Sequence, residues 1–275
     1  MAKIITIIYC VTAVFWILLT INTGHSSHPA GLYLQILLFI IPFLGALLGL
    51  RNAKLWGGLK SAVGKSIFFL SLGTLAWSIG MLAWNYFIFI AKVEVPYPSL
   101  ADAAFILSWP LWTLGVIYLS KATGVRFALR SAVGKILLFV VPAIAMVASY
   151  YLLIEVGRGG VIELDVSSVL KLFFDLFYPI GTAVILAMVL TFFTLSFNFL
   201  GGKYKTPIVL LTAAFVVNYF ADFTFSYTTT NGTYFNGHFV DFLFVTAMYL
   251  LVLSLSLMTP RQDVIRDVEN NIVNP

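Results

Sequence analysis

Long apolar runs separated by short polar loops recur along the whole chain. We predict eight of them, at about residues 4–22, 33–50, 66–90, 102–120, 136–154, 167–199, 206–229 and 239–258. Most approach or exceed the ~20 residues that a helix needs to cross the hydrocarbon core of a bilayer, whereas the strands of a membrane barrel are shorter and alternate in polarity. The pattern therefore predicts an all-α integral membrane protein with eight transmembrane helices.

Composition points to the same class of protein. Hydrophobic residues make up 61% of the chain and charged residues only 10%, and the mean hydropathy is +1.00. These values lie far outside the range of soluble domains. The longest non-apolar stretch is at the end of the chain. We therefore expect one eight-helix transmembrane domain at residues 1–259 and a short cytoplasmic tail at residues 260–275.

Lysine and arginine collect in alternate loops, and this distribution predicts the orientation, because both are retained on the cytoplasmic side of a membrane. One set of loops and the tail carries most of them: Arg51, Lys54, Lys60, Lys65, Lys121, Arg126, Arg130, Lys135, Lys203, Lys205, Arg261 and Arg266. The opposite loops carry only Lys92 and Arg158. We therefore expect a multi-pass protein of the cell membrane with both termini in the cytoplasm. These anchors account for the net charge of +5 and suit an anionic lipid surface, so no nucleic-acid partner is expected.

Similar segments recur along the chain and predict an internal repeat. The segment "SAVGK" occupies residues 61–65 and 131–135, and a longer shift places Asp102 and Phe105 on Asp241 and Phe244. These matches predict four repeated helical hairpins of about 70 residues each. "SAVGKS" also ends like a phosphate-binding loop, but Leu59 stands where such a loop needs its first glycine. We therefore interpret it as a helix start with a basic anchor, and no cofactor is expected.

Four carboxylates fall in the outer half of the predicted bundle. Asp102 and Asp241 begin the fourth and eighth apolar runs, whereas Asp175 and Asp222 lie within the sixth and seventh runs. A charged side chain near the bilayer centre costs about 2.5–3.5 kcal/mol, so such residues usually face the bundle interior or a wet cavity. We therefore predict a small, aromatic-lined polar pocket that opens to the outer side.

Helical spacing adds further candidates to this pocket. Asn218, Asp222 and Ser226 follow one another at intervals of four residues and therefore share one helix face. Lys171 lies one turn before Asp175, and the pair is either part of the site or a structural ion pair. The third run contributes Trp84 and Asn85.

Asp222 is the strongest of these candidates. It is deep in its run and has no cationic neighbour in sequence. Asp102 has a competing structural interpretation, because Ser99 stands three residues before it and the two form a near capping box. We favour capping for Asp102. Asp241 lacks such a serine, so capping explains it less well.

The histidines raise the question of a metal site. His25, His28 and His238 all lie in outer loops, and with Asp102 or Asp241 they could supply three zinc ligands. However, His25 and His28 lack the four-residue spacing that places two imidazoles on one helix face. We therefore expect no metal. No catalytic arrangement of residues is any clearer, and an enzyme is not favoured.

Three segments carry a resemblance to a known family. "LAWSIGMLAWNYFIFIAKVEVPYPSLADAAFILSWPLWTLG" (residues 75–115) resembles the membrane-embedded N-terminal sensory region of many bacterial and archaeal diguanylate cyclases and sensor histidine kinases. "YFADFTFSYTTTNGTYFNGHFVDFLFVTAMYLL" (residues 219–251) and "FYPIG" (residues 177–181) resemble two further signatures of that region. The resemblance marks these positions: Trp84, Pro96, Pro98, Ser99, Asp102, Pro110, Asp222, Gly237 and Asp241.

The resemblance implies a helical membrane module that senses a signal. This chain departs from the family pattern at Thr182, where an acid would be expected, and in carrying no cyclase or kinase output domain. We therefore expect a stand-alone module that passes its signal to a separate membrane or signalling protein.

Three functions follow from these observations. The leading hypothesis is a receptor-like module that binds a small molecule or a membrane lipid from the outer side. The alternative is an accessory or structural subunit of a larger membrane protein complex, in which aromatic and small-residue faces pack against other chains. A membrane enzyme or transporter ranks third, because the inner halves of the runs are nearly all apolar and leave no polar path through the membrane.

Overall fold

Helices make up almost all of the fold. The computed structural model describes residues 2–24, 26–96, 98–123, 125–156, 159–160, 169–196 and 204–260. The α-helices in this part of the chain are α1 (Ala2–Thr23), α2 (Tyr33–Leu55), α3 (Ala62–Asn85), α4 (Leu100–Ala122), α5 (Val125–Ala128), α6 (Ala132–Tyr150), α7 (Val169–Ser196), α8 (Lys205–Thr230) and α9 (Phe239–Leu257). Short 3₁₀ turns occupy Pro29–Leu32 and Gly58–Lys60, and π-helical turns at Tyr86–Ala91 and Tyr151–Val156 extend α3 and α6. No strand occurs among the described residues.

Seven of the described helical segments are long and apolar enough to cross a membrane. They are Ala2–Thr23, Pro29–Leu55, Ala62–Ala91, Leu100–Ala122, Ala132–Val156, Lys205–Thr230 and Phe239–Leu257. This agrees with the predicted all-α, multi-pass membrane protein. The remaining predicted run coincides with α7, whose described apolar part, Ile180–Ser196, is shorter. An eighth crossing therefore stays a prediction, and the predicted tail lies outside the described residues beyond Pro260.

The two "SAVGK" segments are helix starts, as their sequence predicts. Ser61 and Ser131 are the N-caps of α3 and α6, and their hydroxyl oxygens accept from the backbone N–H of Gly64 at 2.8 Å and of Gly134 at 2.9 Å. A side chain at either glycine would collide with a carbonyl oxygen of the preceding turn. The recurring sequence is thus explained by the same cap geometry at the start of two helices.

Six helices form a closed ring. In order around it, α2, α3, α4, α7, α8 and α9 each pack against the next helix, and α9 packs against α2. Outside the ring, α1 lies against α9 and α2, and α6 lies against α7. Glycines allow α3 and α4 to pack closely, because Gly73 lies against Trp112 and Gly80 lies against Phe105.

The ring has two chemically different ends. Asn52 near the end of α2 donates to the carbonyl of Leu255 near the end of α9 at 2.9 Å, and Gln35 near the start of α2 meets Asp241 near the start of α9. These contacts show that α2 and α9 run parallel. We call the end at which α2, α4 and α9 begin the carboxylate end, and the opposite end the basic end.

Candidate functional site

Asp241 is the centre of a buried polar network at the carboxylate end. It is only 2% exposed. Its Oδ2 atom accepts from Gln35 Nε2 at 2.7 Å and from the backbone N–H of Gly237 at 2.6 Å, and its Oδ1 atom accepts from the Tyr234 hydroxyl at 2.9 Å. Asn85 joins the network because its Nδ2 atom donates to the Gln35 carbonyl at 2.9 Å. The network therefore links α9 to α2 and α3 through neutral donors.

Tyr234 is held in its neutral, donating form. Burial and then the neighbouring Asp241 carboxylate raise the pKa of the Tyr234 phenol well above its usual range. Its ring also packs edge-on against Phe225, with 4.9 Å between the ring centroids. The phenol is therefore a fixed hydrogen-bond donor to Asp241 at physiological pH.

The loop before α9 is fixed by a close backbone contact. Gly237 has a φ of +99°, and a Cβ atom there would lie 2.7 Å from the Cα atom of Gly31. Trp16 of α1 donates from Nε1 to the Gly237 carbonyl at 3.2 Å. These contacts hold the Gly237 N–H in place for Asp241.

Asp102 caps α4, as its spacing from Ser99 predicts. The Oδ2 atom of Asp102 accepts from the Ser99 backbone N–H at 2.8 Å and from the Ser99 hydroxyl at 3.0 Å, and this pair forms a capping box. Its Oδ1 atom accepts from the Tyr178 hydroxyl of α7 at 2.7 Å. Asp102 is therefore both a helix cap and a contact between α4 and α7.

Asp222 is held by two neutral donors. Its Oδ2 atom accepts from the Thr182 hydroxyl at 2.9 Å and from Asn218 Nδ2 at 3.0 Å. Tyr178 and Thr182 lie one turn apart on α7, so one face of that helix contacts Asp102 and Asp222. The predicted spacing of Asn218 and Asp222 on one face of α8 is thus confirmed.

Several polar atoms beside these networks have no hydrogen-bond partner among the described residues. They are Trp84 Nε1, Asn85 Oδ1, Asn218 Oδ1 and Asn236 Oδ1. Unpaired buried polar atoms are uncommon because each costs about 1–3 kcal/mol. The unpaired amide oxygens are acceptors close to carboxylates, so the end is rich in groups that receive hydrogen bonds.

The other predicted site residues have separate positions. Ser226 lies one turn beyond Asp222 on α8. Lys171 and Asp175 lie in α7, but their side chains fall outside what the structure describes, so the predicted ion pair stays a prediction.

The histidines that are described act as caps. His28 Nδ1 accepts from the backbone N–H of Ala30 at 3.1 Å, and His238 is the N-cap of α9 and accepts from that of Val240 at 3.4 Å. His25 lies outside the described residues. Within the described part of the chain, no three His, Cys, Asp or Glu residues are placed to hold a metal ion.

Two concavities open at the carboxylate end beside α1. A small crevice of about 10 Å³ lies between α1 and the loop before α9, with Trp16, His28 and Asn236 among its lining residues. An open groove of about 520 Å³ runs along the last turns of α1 and includes Phe15 and Asn22 in its wall. Gly237, a donor to Asp241, is among the residues that line the small crevice.

Sequence reasoning missed four of the residues that hold the carboxylates: Gln35, Tyr178, Thr182 and Tyr234. Tyr178 and Thr182 share a four-residue spacing that could have marked them as one helix face. Gln35 is a single amide in an apolar run, which is a weaker signal. From the sequence, Thr182 stands out only as a departure from the family that the chain resembles, yet its hydroxyl is a direct partner of Asp222.

A scan against protein-family models found no match, and comparisons with curated proteins and with solved structures found none either.

Proposed function

We propose that this protein is a receptor-like sensory module of the cell membrane that binds a small molecule at its carboxylate end, which we assign to the outer side. One observation carries the proposal: Asp102, Asp222 and Asp241 are all held at this end by neutral donors. Carboxylates in a membrane domain are costly and usually serve a site. Capping explains Asp102, but Asp222 lies inside its helix and has no such role.

The chemistry of this end favours a ligand that donates hydrogen bonds. The carboxylates are acceptors, and the unpaired oxygens of Asn85 and Asn218 are acceptors too. Aromatic rings lie alongside, since Trp77 packs against Phe105 and Phe244. An amine or a polyhydroxylated molecule would satisfy these groups, and an amine would also interact favourably with the ring faces.

The networks give a route by which a ligand could affect the whole ring. Asp241 joins α9 to α2, and Asp102 and Asp222 join α4 and α8 to the same face of α7. A ligand that replaces one donor would change the packing between helices rather than one side chain alone. Some of the residues that carry the family resemblance, including Asp102, Asp222, Gly237 and Asp241, lie in these networks, which supports a sensory role.

We also propose the finer architecture that the sequence predicts, with four repeated hairpins and both termini in the cytoplasm. Asp102 and Asp241 support the repeat, because each is the third residue of its helix. Each accepts from a backbone N–H before the helix and from a tyrosine hydroxyl. Matching surroundings are expected of residues at equivalent positions of a repeat.

Native mass spectrometry in nanodiscs tests the proposed function. We expect a small ligand mass on the purified protein that is lost in Asp222→Asn, because this change removes the charge and keeps the shape. Glu94→Gln is the matched control, since Glu94 is an exposed acid of the loop between α3 and α4 and therefore belongs to the same end. A folded Asp222→Asn protein that retains the ligand would refute the site. A chain that carries another polypeptide at fixed stoichiometry and no ligand would instead assign it to a membrane complex.

A further inference from the structure

Two lysines meet over one aromatic ring at the basic end. The Nζ atom of Lys65, in α3, lies 5.4 Å from the ring centroid of Tyr118, and that of Lys121, in α4, lies 5.0 Å from it. Phe69 stacks on the same tyrosine, with 5.5 Å between centroids and 11° between the ring planes. Two ammonium groups from neighbouring helices are therefore gathered around a fixed aromatic platform.

This pair of cations lacks a counter-ion in the described part of the chain. Neither lysine forms an ion pair there, and the acids that follow α9, Asp263, Asp267 and Glu269, lie outside the described residues. A tyrosine ring attracts a cation, but it does not cancel the repulsion between two of them. Lys65 also lies close to the N-terminus of α3, where the helix dipole favours an anion and disfavours a cation. An anion bound between the two lysines would therefore stabilise the arrangement.

The position of Lys65, Lys121 and Tyr118 in the membrane favours a lipid headgroup as the source of that anion. Helix α4 has 23 residues, so it is about 35 Å long and exceeds the ~30 Å thickness of a hydrocarbon core. Lys121 is in its last turn. Its ammonium group is therefore at the level of the lipid headgroups.

The surface below the lysines suits the acyl chains of the same lipid. Leu107 and Leu114 are 54% and 38% exposed, and at helical spacing they share the face of α4 that carries Tyr118 and Lys121. An apolar stripe thus leads to a pair of cations at the headgroup level, which matches the two parts of a phospholipid.

We propose that Lys65, Lys121 and Tyr118 form a binding site for the phosphate headgroup of an anionic phospholipid in the leaflet at the basic end. The lysines bind the phosphate oxygens, the tyrosine ring holds the lysine side chains in place, and Leu107 and Leu114 contact the acyl chains. The site is at the opposite end of the bundle from the proposed ligand site and does not depend on it.

Lipid retention measured by native mass spectrometry tests this site. The protein is reconstituted in mixed phosphatidylglycerol and phosphatidylcholine nanodiscs, and the lipids that stay bound after release are counted. We expect wild type to retain phosphatidylglycerol preferentially. Lys65→Gln/Lys121→Gln should bind it about tenfold more weakly, because each lost lysine removes part of the electrostatic attraction to the anionic headgroup. Lys65→Arg/Lys121→Arg keeps the charge and the cation–π contacts, so it should retain the lipid.

A matched double variant separates a site from general surface charge. Lys54→Gln/Lys60→Gln removes two exposed lysines of the same end and should leave retention unchanged. Equal losses in the two Gln variants, or no preference for phosphatidylglycerol in wild type, would overturn the proposal. So would displacement of the lipid by millimolar inorganic phosphate, or lipid binding that appears only after Asp263, Asp267 and Glu269 are neutralised. Size-exclusion and thermal unfolding profiles show that each variant compared is folded.

Discussion

At the scale of single residues, the hydroxyl of Thr182 should matter more than its small size indicates. Thr182 is 2% exposed and donates to Asp222 at 2.9 Å. Thr182→Val keeps the shape and removes this donor, so we expect a loss of about 1–3 kcal/mol in unfolding free energy, because the Asp222 carboxylate then loses one of its two donors. Denaturant or thermal unfolding in one detergent measures the change.

Thr191→Val is the control for this substitution on the same helix. Its hydroxyl donates to the backbone carbonyl of Ala187 at 2.6 Å, which already belongs to the helical ladder, so its removal should cost less. Equal losses for the two variants would show that the contact of Thr182 with Asp222 contributes nothing specific.

How much of the site could be predicted depends on sequence distance. The capping box of Ser99 and Asp102, and the pair of Asn218 and Asp222, are local spacings and were predicted. Gln35 and Asp241 are 206 residues apart, so no local pattern joins them, and only the order of helices around the ring brings them together. Tyr178 was not predicted for the same reason, because its partner Asp102 lies 76 residues away on another helix.

At the scale of helices and turns, the apolar runs predicted the spans well because bilayer thickness fixes their length. The cap serines then fixed where α3 and α6 begin. The π-helical turns at Tyr86–Ala91 and Tyr151–Val156 and the short α5 were not predicted. Apolar periodicity does not distinguish a final π-turn from an α-turn, and a helix of four residues is too short to show a period.

The contact between the turn before α2 and the loop before α9 gives a prediction at this scale. Gly237→Ala should destabilise the protein for two reasons, a φ of +99° and a Cβ atom placed 2.7 Å from the Cα atom of Gly31. Gly232→Ala is the matched control, because Gly232 also has a positive φ, +65°, but its Cβ would meet nothing within 4 Å. The control should lose only about 1–2 kcal/mol from its backbone conformation.

Gly237→Ala should lose clearly more stability than Gly232→Ala in thermal unfolding. It should also lower the fraction of protein that carries the ligand in native mass spectra, because the displaced Gly237 N–H no longer donates to Asp241. Similar melting temperatures for the two variants would show that the loop adapts and that the backbone contact does not fix it.

At the scale of the whole molecule, the contacts of α7 support an eighth crossing. In its first half, the Tyr178 hydroxyl donates to Asp102 in the first turn of α4 at 2.7 Å. At its end, the Ser196 hydroxyl lies 3.3 Å from that of Thr123, the C-cap of α4. Between Tyr178 and Ser196, α7 therefore runs parallel to α4, and this arrangement predicts that α7 crosses the membrane beside α4.

Cysteine labelling tests the crossing and the orientation together. Cys10 is the only cysteine in the chain, so Cys10→Ser gives a background for single substitutions at exposed positions. We expect a membrane-impermeant maleimide to label Glu94→Cys in intact cells, and to label Lys60→Cys, Lys135→Cys and Lys205→Cys only after permeabilisation, because basic loops are retained in the cytoplasm. Lys135 is in the first turn of α6 and Lys205 is the first residue of α8. Since α6 is long and apolar enough to cross, the two lysines share a side only if α7 crosses as well. Labelling of Lys205→Cys on the side of Glu94 would remove the eighth crossing, and a fully reversed pattern would place the carboxylate end in the cytoplasm.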